Sequence, residues 1–161
     1  MDPREALIDS LANNVRILEA FTSSIPEAAL HERRRPDAWT VGEHLGHLAE
    51  VQPMLCDRIE AFGREERPAF TPYFPPEGES PSSGTAVVDP AAALAAFGRW
   101  RGRQVGLLST MKASDWRKEA VHPEYRRYSL TILARHILMH DHWHMYRMEE
   151  LWLTRDEFLM P

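Results

Sequence analysis

Apolar residues recur at helical spacing in four stretches of the chain, separated by polar or proline-rich segments. In the first, Leu7, Leu11, Val15 (with Leu18) and Phe21 share a face. Asp2-Pro3 ahead of them supplies an N-cap and a proline at the first helical position, where the missing N–H costs little. The pattern ends near Ser23-Ser24-Ile25-Pro26, which predicts helix 1 over roughly residues 3 to 22. Thr40-Val41-Gly42-Glu43 has the form of a capping box, so helix 2 starts just after Trp39. It carries Val41, His44, Leu45, Leu48, Val51, Leu55, Ile59 and Phe62 before Gly63. Pro53 lies inside it and removes one backbone hydrogen bond, so a kink or local irregularity is expected there.

Residues 64 to 89 lose this periodicity: five prolines fall between Pro68 and Pro81, and Ser80, Ser82, Ser83 and Gly84 cluster at the end. Asp89-Pro90 repeats the cap-plus-proline start, and Ala93, Leu94, Phe97, Trp100 (or Arg101), Gln104, Leu107 and Leu108 mark helix 3. After a loop with Asp115, Trp116 and His122-Pro123, Ser129 is a fair N-cap for helix 4, roughly residues 130 to 153. With no strand pattern, the expected fold is all-α, a single four-helix-bundle domain over 1–161. Short links suit antiparallel neighbours, whereas the long crossover between helices 2 and 3 can span the bundle and let those two run parallel.

Composition narrows the functional classes. Nineteen basic against twenty-four acidic side chains give a net charge of −5 without a long run of either sign, which argues against nucleic-acid and anionic-membrane partners. Arg33, Arg34 and Arg35 form the basic cluster and read as a solvated loop. No secretory signal opens the chain and no apolar run approaches a transmembrane length. The single cysteine, Cys56, precludes an intrachain disulfide and fits a reducing compartment, so a cytoplasmic protein is expected. Cys56 sits mid-helix, about two and a half turns from His47, and reads as structural rather than catalytic.

Histidine is the unusual component. The segment ARHILMHDHWHMYR, residues 134 to 147, holds His136, His140, His142 and His144. On helix 4 the apolar stripe Leu130, Leu133, Ile137 continues into His140, His144, Met148 and Leu151, placing two imidazoles where leucines are expected. At i and i+4 both rings can reach one cation. A third ligand must come from another helix, and helix 2 offers His44 or His47, each preceding a core leucine. Three neutral imidazoles with open positions make a Lewis-acid centre suited to Zn²⁺ and tolerant of Ni²⁺, Mn²⁺ or Fe²⁺. His136, one turn before His140, lines the cavity, donates to a ligand, or is a satisfied core histidine. His142 is about 200° around the helix from His140 and faces outward. Asp141 is a candidate to orient a ligand ring. His31 and His122 are loop residues without an evident partner, and the five tryptophans read as packing residues.

Trp39-Thr40-Val41-Gly42-Glu43-His44-Leu45-Gly46-His47-Leu48, followed by His140-Asp141-His142-Trp143-His144, resembles the two motifs of the DinB-like four-helix-bundle family of metal-binding proteins. The family's helix 2 ligand is the histidine eight residues after the tryptophan, which favours His47 over His44 and implies a His47, His140, His144 site. One departure is Arg147, where many relatives have glutamine; it could contact an anionic substrate group or pair with a surface carboxylate.

The resemblance implies a divalent metal, Zn or Ni foremost with Mn or Fe as alternatives, a small-molecule substrate, and a homodimer. Some relatives transfer a low-molecular-weight thiol and others resemble hydrolases, so a metal-dependent transferase or hydrolase is expected. The alternative is a non-enzymatic metal- or ligand-binding stress-response protein. A di-iron carboxylate plan is disfavoured, since Asp141-x-x-His144 is the nearest approach to its Glu-x-x-His motifs. The metal's open positions are expected to face a cleft walled by the 64 to 89 connection and the loop around His122.

Overall fold

The computed structural model describes residues 2–36, 38–72 and 88–159. Helix α1 spans Pro3–Ser23, and Asp2 caps it by accepting from the Arg4 N–H at 2.9 Å. A five-residue helix, α2 (Glu27–His31), follows; it is too short to leave a periodic signature and was not expected. The capping box forms as read: Thr40 Oγ1 accepts from the Glu43 N–H at 3.1 Å, and Glu43 Oε2 accepts from the Thr40 N–H at 2.6 Å. The expected kink in helix 2 is a break at Val51, which divides the rod into α3 (Val41–Glu50) and α4 (Gln52–Arg64). Pro53 falls in the first turn of α4, where its missing N–H is tolerated. Hydrogen bonds from the Val51 N–H to His47 O and from the Leu55 N–H to Val51 O carry the ladder across the break. Helices α5 (Pro90–Thr110) and α6 (Leu130–Leu153) complete the bundle, capped by Asp89 and Ser129.

Residue pairs fix the directions of the rods. Gly46 approaches Val88, Cys56 approaches Trp100 and Glu60 pairs with Arg103, so numbers rise together and α3–α4 runs parallel to α5. Leu11 meets Arg101 and Val15 meets Gly98, which makes α1 antiparallel to α5. His44 meets His144 and His47 meets His140, which makes α6 antiparallel to α3. The order is up, down, down, up. α1 and α3–α4 each pack against both α5 and α6.

A layer of polar side chains crosses the bundle at mid-height, between two apolar clusters. On α1, Asn14 separates Leu11 from Leu18; on α3–α4, Gln52 separates Leu48 from Leu55. On α5, Arg101 and Gln104 separate Phe97 from Leu108, and on α6 Asp141 separates Ile137 from Met148. Arg101 and Asp141 are both 0% exposed and form an ion pair at 2.7 Å. Asn14 Nδ2 donates to Asp141 Oδ2 at 2.9 Å, Arg101 Nε to Gln104 Oε1 at 2.8 Å, and Gln104 Nε2 to Gln52 Oε1 at 2.8 Å. Between the two residues considered at that point of helix 3, Arg101 is buried and Trp100 half-buried.

The arginine triplet is only partly solvated: Arg33 is exposed, whereas Arg34 and Arg35 are half-buried. Arg34 donates to Leu151 O at 2.6 Å and Thr154 O at 2.8 Å, satisfying carbonyls at the C-terminal end of α6, and pairs with Asp156. Arg33 pairs with Glu43 of the capping box. The correction has a simple cause: the open carbonyls of a distant helix end attract a guanidinium that local sequence shows as unpaired.

The start of the long connection is pinned to the α5–α6 loop. Phe70 N–H donates to Val121 O at 2.9 Å and Val121 N–H to Pro68 O at 2.8 Å. Residues 73 to 87 lie outside the described residues. Among the described residues no helix is long and apolar enough to cross a membrane. Of the tryptophans, Trp143 is 55% exposed and shares a face of α6 with exposed Met139 and Tyr146, while Trp152 is half-buried.

Breaking the buried pair from one side should be severe. Arg101→Leu leaves Asp141 buried without its cation and is expected to destabilise the fold by about 3–5 kcal/mol in urea unfolding. The double variant with Asp141→Leu should recover most of that loss; a double variant as unstable as the single one would deny that the pair is what matters.

Candidate metal centre

His47 comes from the last turn of α3, and His140 and His144 from successive turns of α6, whose antiparallel approach sets them face to face. His140 Nε2 lies 3.3 Å from His47 Nε2 and 3.1 Å from His144 Nε2. One ring nitrogen from each of the three falls within 4.8 Å of the others. A tetrahedral zinc with Zn–N bonds of about 2.05 Å separates its nitrogens by about 3.3 Å, which the two spacings at His140 match, while the wider limit on the full set means the rings must draw together to hold one small cation. Three convergent nitrogens are poorly served by hydrogen bonds among themselves, because each N–H can satisfy only one lone pair.

Burial keeps the cluster uncharged. It is the largest cause of the downward shift at each ring: His47 to about 4, His144 to about 2, and His140 below its ordinary value. Neutral imidazole is the form that ligates a metal. No carboxylate belongs to the cluster among the described residues.

His44 is beside the site with a different contact. Its Nδ1 meets His144 Nδ1 at 2.8 Å, leaving His144 Nε2 turned toward His140. Burial first, then Arg147 and His47, push His44 down to about 3. It is therefore a neutral partner that orients the His144 ring. Trp39 packs on the same group, its ring centroid 5.0 Å from His44, 5.0 Å from His47 and 5.8 Å from His144. The sequence reading took this tryptophan only as packing and as the start of a motif.

The other candidates separate. Asp141 engages Arg101 and Asn14 rather than a ligand ring, and both its Oδ1 and His140 Nδ1 are buried without a hydrogen-bond partner. Arg147 pairs with Glu150 on its own helix at 2.5 Å, with little exposure on either side. His142 is exposed and touches Asn14 Oδ1 at 3.1 Å. His31 ends α2 and is exposed. His136 lines a cavity, its ring against Tyr125 and Tyr128. His122 is buried against the same two tyrosines; a ring tucked under its own loop leaves no periodic signal by which to find it.

That cavity has a volume of about 390 Å³ and opens directly on His47 and His140. Val51, Met54, Leu55, Leu133 and Ile137 form its apolar wall, and Pro72 from the long connection lines it together with the loop around His122. Of the connection expected to wall a cleft, Pro72 lines this cavity, and residues 73 to 87 lie outside the described residues.

The chain belongs to the DinB superfamily, whose profile matches residues 11–154. It is 25% identical over 158 residues to "Putative metal-dependent hydrolase YfiT" of Bacillus subtilis (strain 168), covering 92% of this chain and 88% of that protein. It is 30% identical over 120 residues to a "Putative metal-dependent hydrolase" of Bacillus pumilus (strain SAFR-032), covering 74% of this chain and 67% of that one. The solved structure reported as "YfiT from Bacillus subtilis is a probable metal-dependent hydrolase with an unusual four-helix bundle topology" aligns with a TM-score of 0.77 at 24% identity, over 92% of this chain and 85% of that chain. The shared fold is a four-helix bundle.

Histidines held neutral by the fold make the metal-free protein acid-sensitive. The unfolded chain takes up protons near pH 6.5 whereas folded His44, His47 and His144 do not until about pH 4 or below, so unfolding gains proton uptake as pH falls. Stability of the metal-free protein is expected to be steady above pH 7. Below pH 6.5 it should fall by up to about 1.4 kcal/mol per pH unit for each such ring. Urea unfolding at pH 7 and pH 5 measures this; a flat profile would mean the rings are not held neutral.

Proposed function

We propose that the chain is a metal-dependent enzyme acting on a small molecule, with His47, His140 and His144 as ligands of one divalent cation, zinc or nickel ahead of manganese or iron. The supporting observation is the convergence of three ring nitrogens, kept neutral by burial, at a cavity large enough for a small substrate. When bound, such a cation supplies Lewis-acid chemistry, lowering the pKa of a water or thiol and polarising a carbonyl. The protein's own groups do the rest. His44 holds the His144 ring, Trp39 packs over the histidines on one side, and Val51, Met54, Leu55 and Ile137 bind the apolar body of the substrate and exclude water from it.

Hydrolysis is the first reading, supported by the names of the two relatives. Transfer of a low-molecular-weight thiol to an electrophile is the second. It is favoured by the cavity lining, in which Glu124 is the one carboxylate among the described residues and lies on the His122 loop rather than among the ligands. A thiol loses its proton readily on meeting a divalent cation and needs no general base beside it.

Metal analysis tests the ligand set. Chelator-stripped protein reloaded with zinc should bind about one ion per chain, and alanine at His47, His140 or His144 should remove most of the affinity. His44→Ala should keep the stoichiometry while weakening binding by about 10- to 100-fold, as loss of a ring-orienting partner does. Full occupancy in His47→Ala with loss in His44→Ala would reverse the assignment.

The reaction is tested on zinc-loaded protein with ester and amide panels, with and without low-molecular-weight thiols. Turnover without thiol, abolished by His140→Ala, supports hydrolysis; turnover that requires thiol supports transfer. No turnover on either panel, with zinc bound, would favour a binding protein.

A further inference from the structure

The cavity has a second polar end that the metal ligands do not use. Arg58 of α4 lines it, pinned by donation from Nη2 to Thr71 O at 2.6 Å and by its position over the Phe70 ring, 5.4 Å from the centroid. Around it stand His122, Tyr125 and Tyr128 from the α5–α6 loop and His136 from α6, their rings in mutual contact. His122 Nδ1 accepts the Glu124 N–H at 3.2 Å, so in the neutral ring the proton sits on Nε2 and is a donor. Burial, then Arg58, pushes His122 below its ordinary value, which keeps that ring neutral at pH 7. Arg58 and Tyr128 line the same end of the cavity; burial raises the Tyr128 phenol above its ordinary value, with Arg58 acting against the rise.

We propose that this end of the cavity, built from Arg58, His122, Tyr125, Tyr128 and His136, is a carboxylate-binding subsite, and that the substrate is a monocarboxylate whose reacting group is set off from the carboxylate by an apolar segment. A guanidinium with planar paired donors matches a carboxylate, and neutral O–H and N–H groups beside it add hydrogen bonds without charge. The charge count selects this anion over a phosphate dianion. Arg58 is the one permanently charged cation among the described lining residues, and Glu124 at the same end opposes a second negative charge. The length of the spacer follows from the helix. His136 precedes His140 by one turn, a rise of about 6 Å, and Arg58 follows His47 by about three turns, a rise of about 16 Å, so the subsite is set off from His47 and His140 along the cavity by one to three helical turns. The wall between is the apolar set Val51, Met54, Leu55 and Ile137, which offers nothing to a polar midsection. The identity of the substrate rests on the enzymatic reading above; the carboxylate subsite stands on the cavity alone.

The test is made on metal-free, full-length protein, so that no cation competes for the anion. Isothermal titration with 4-phenylbutyrate, 4-phenylbutanol and 4-phenylbutyl phosphate compares carboxylate, neutral and phosphate heads on one apolar body. The carboxylate should bind about tenfold or more tightly than the alcohol and more tightly than the phosphate. Arg58→Gln should reduce carboxylate affinity by about tenfold and leave the alcohol unchanged. Since Arg58 also anchors Thr71, Tyr128→Phe serves as a second variant that keeps that anchor: it should weaken the carboxylate by a smaller factor, with an unchanged melting temperature. Equal binding of acid and alcohol, tighter binding of the phosphate, no binding of any probe, or carboxylate affinity untouched in both variants would overturn the proposal. Because zinc is absent throughout, a failure of metal binding would leave this result standing, and a failure here would leave the metal centre standing.

Discussion

A guanidinium and a carboxylate with no solvent exposure cannot sit in an apolar bundle unless every rod is brought to a height at which they are satisfied. Arg101 on α5 and Asp141 on α6 impose that condition. Removing two such charges from water costs several kcal/mol per ion, and their attraction offsets this only where the remaining lone pairs and N–H groups also find partners. Asn14 from α1 and Gln52 and Gln104 from α4 and α5 provide most of them, with Asp141 Oδ1 the one atom of the pair left without a hydrogen-bond partner. Each of the four rods therefore contributes to one polar layer, and an axial slip of any rod would strand a buried polar atom. Two apolar clusters hold the helices together; the layer between them sets their register.

The three-histidine cluster inherits its geometry from that layer. Asp141 follows His140 directly and Gln52 lies five residues after His47, so the contacts that fix Asp141 and Gln52 also fix the levels of the two helices that carry the clustered histidines. The 3.3 Å spacing between the His47 and His140 ring nitrogens, which spans the two helices, requires α3 and α6 to meet in one register. The same burial that makes the ion pair demanding depresses the imidazoles, which makes them good ligands and poor proton carriers. Position and chemistry at the cluster thus have one origin.

Loops supply what the bundle cannot. A four-rod frame with two apolar clusters has few places for a ligand, and the cavity exists where the connection after α4 crosses the loop before α6 and pairs with it through Phe70 and Val121. Histidines from the rigid rods form one end, and Arg58 with the tyrosines and histidines of the loop forms the other. The first end is built from residues of the two motifs by which the chain resembles the DinB family. The second is built from residues outside the two motifs by which the family was recognised.

Much of this was legible in the sequence because it depends on local spacing. Caps, the proline break, the ends of the long helices and the i, i+4 pair His140 and His144 are all set by neighbours within a few residues. The pairing of α6 with His47 was legible through the resemblance of motifs rather than from the residues alone. Other features were not legible, because they depend on residues brought together from far apart in the chain. Arg101 looked like one of two alternatives on a helical stripe until Asp141 was placed opposite it, and Arg34 looked solvated until the carbonyls ending α6 reached it. His44 and His47 are three residues apart on one helix, yet one meets Nδ1 of His144 and the other Nε2 of His140. His122 gained its role only when the loop folded under Tyr125 and Tyr128. The sequence by itself determined the helices and which side chains could ligate a cation; the tertiary structure decided which of them converge and what faces them, because burial and long-range contact are properties of the packed chain and have no local period.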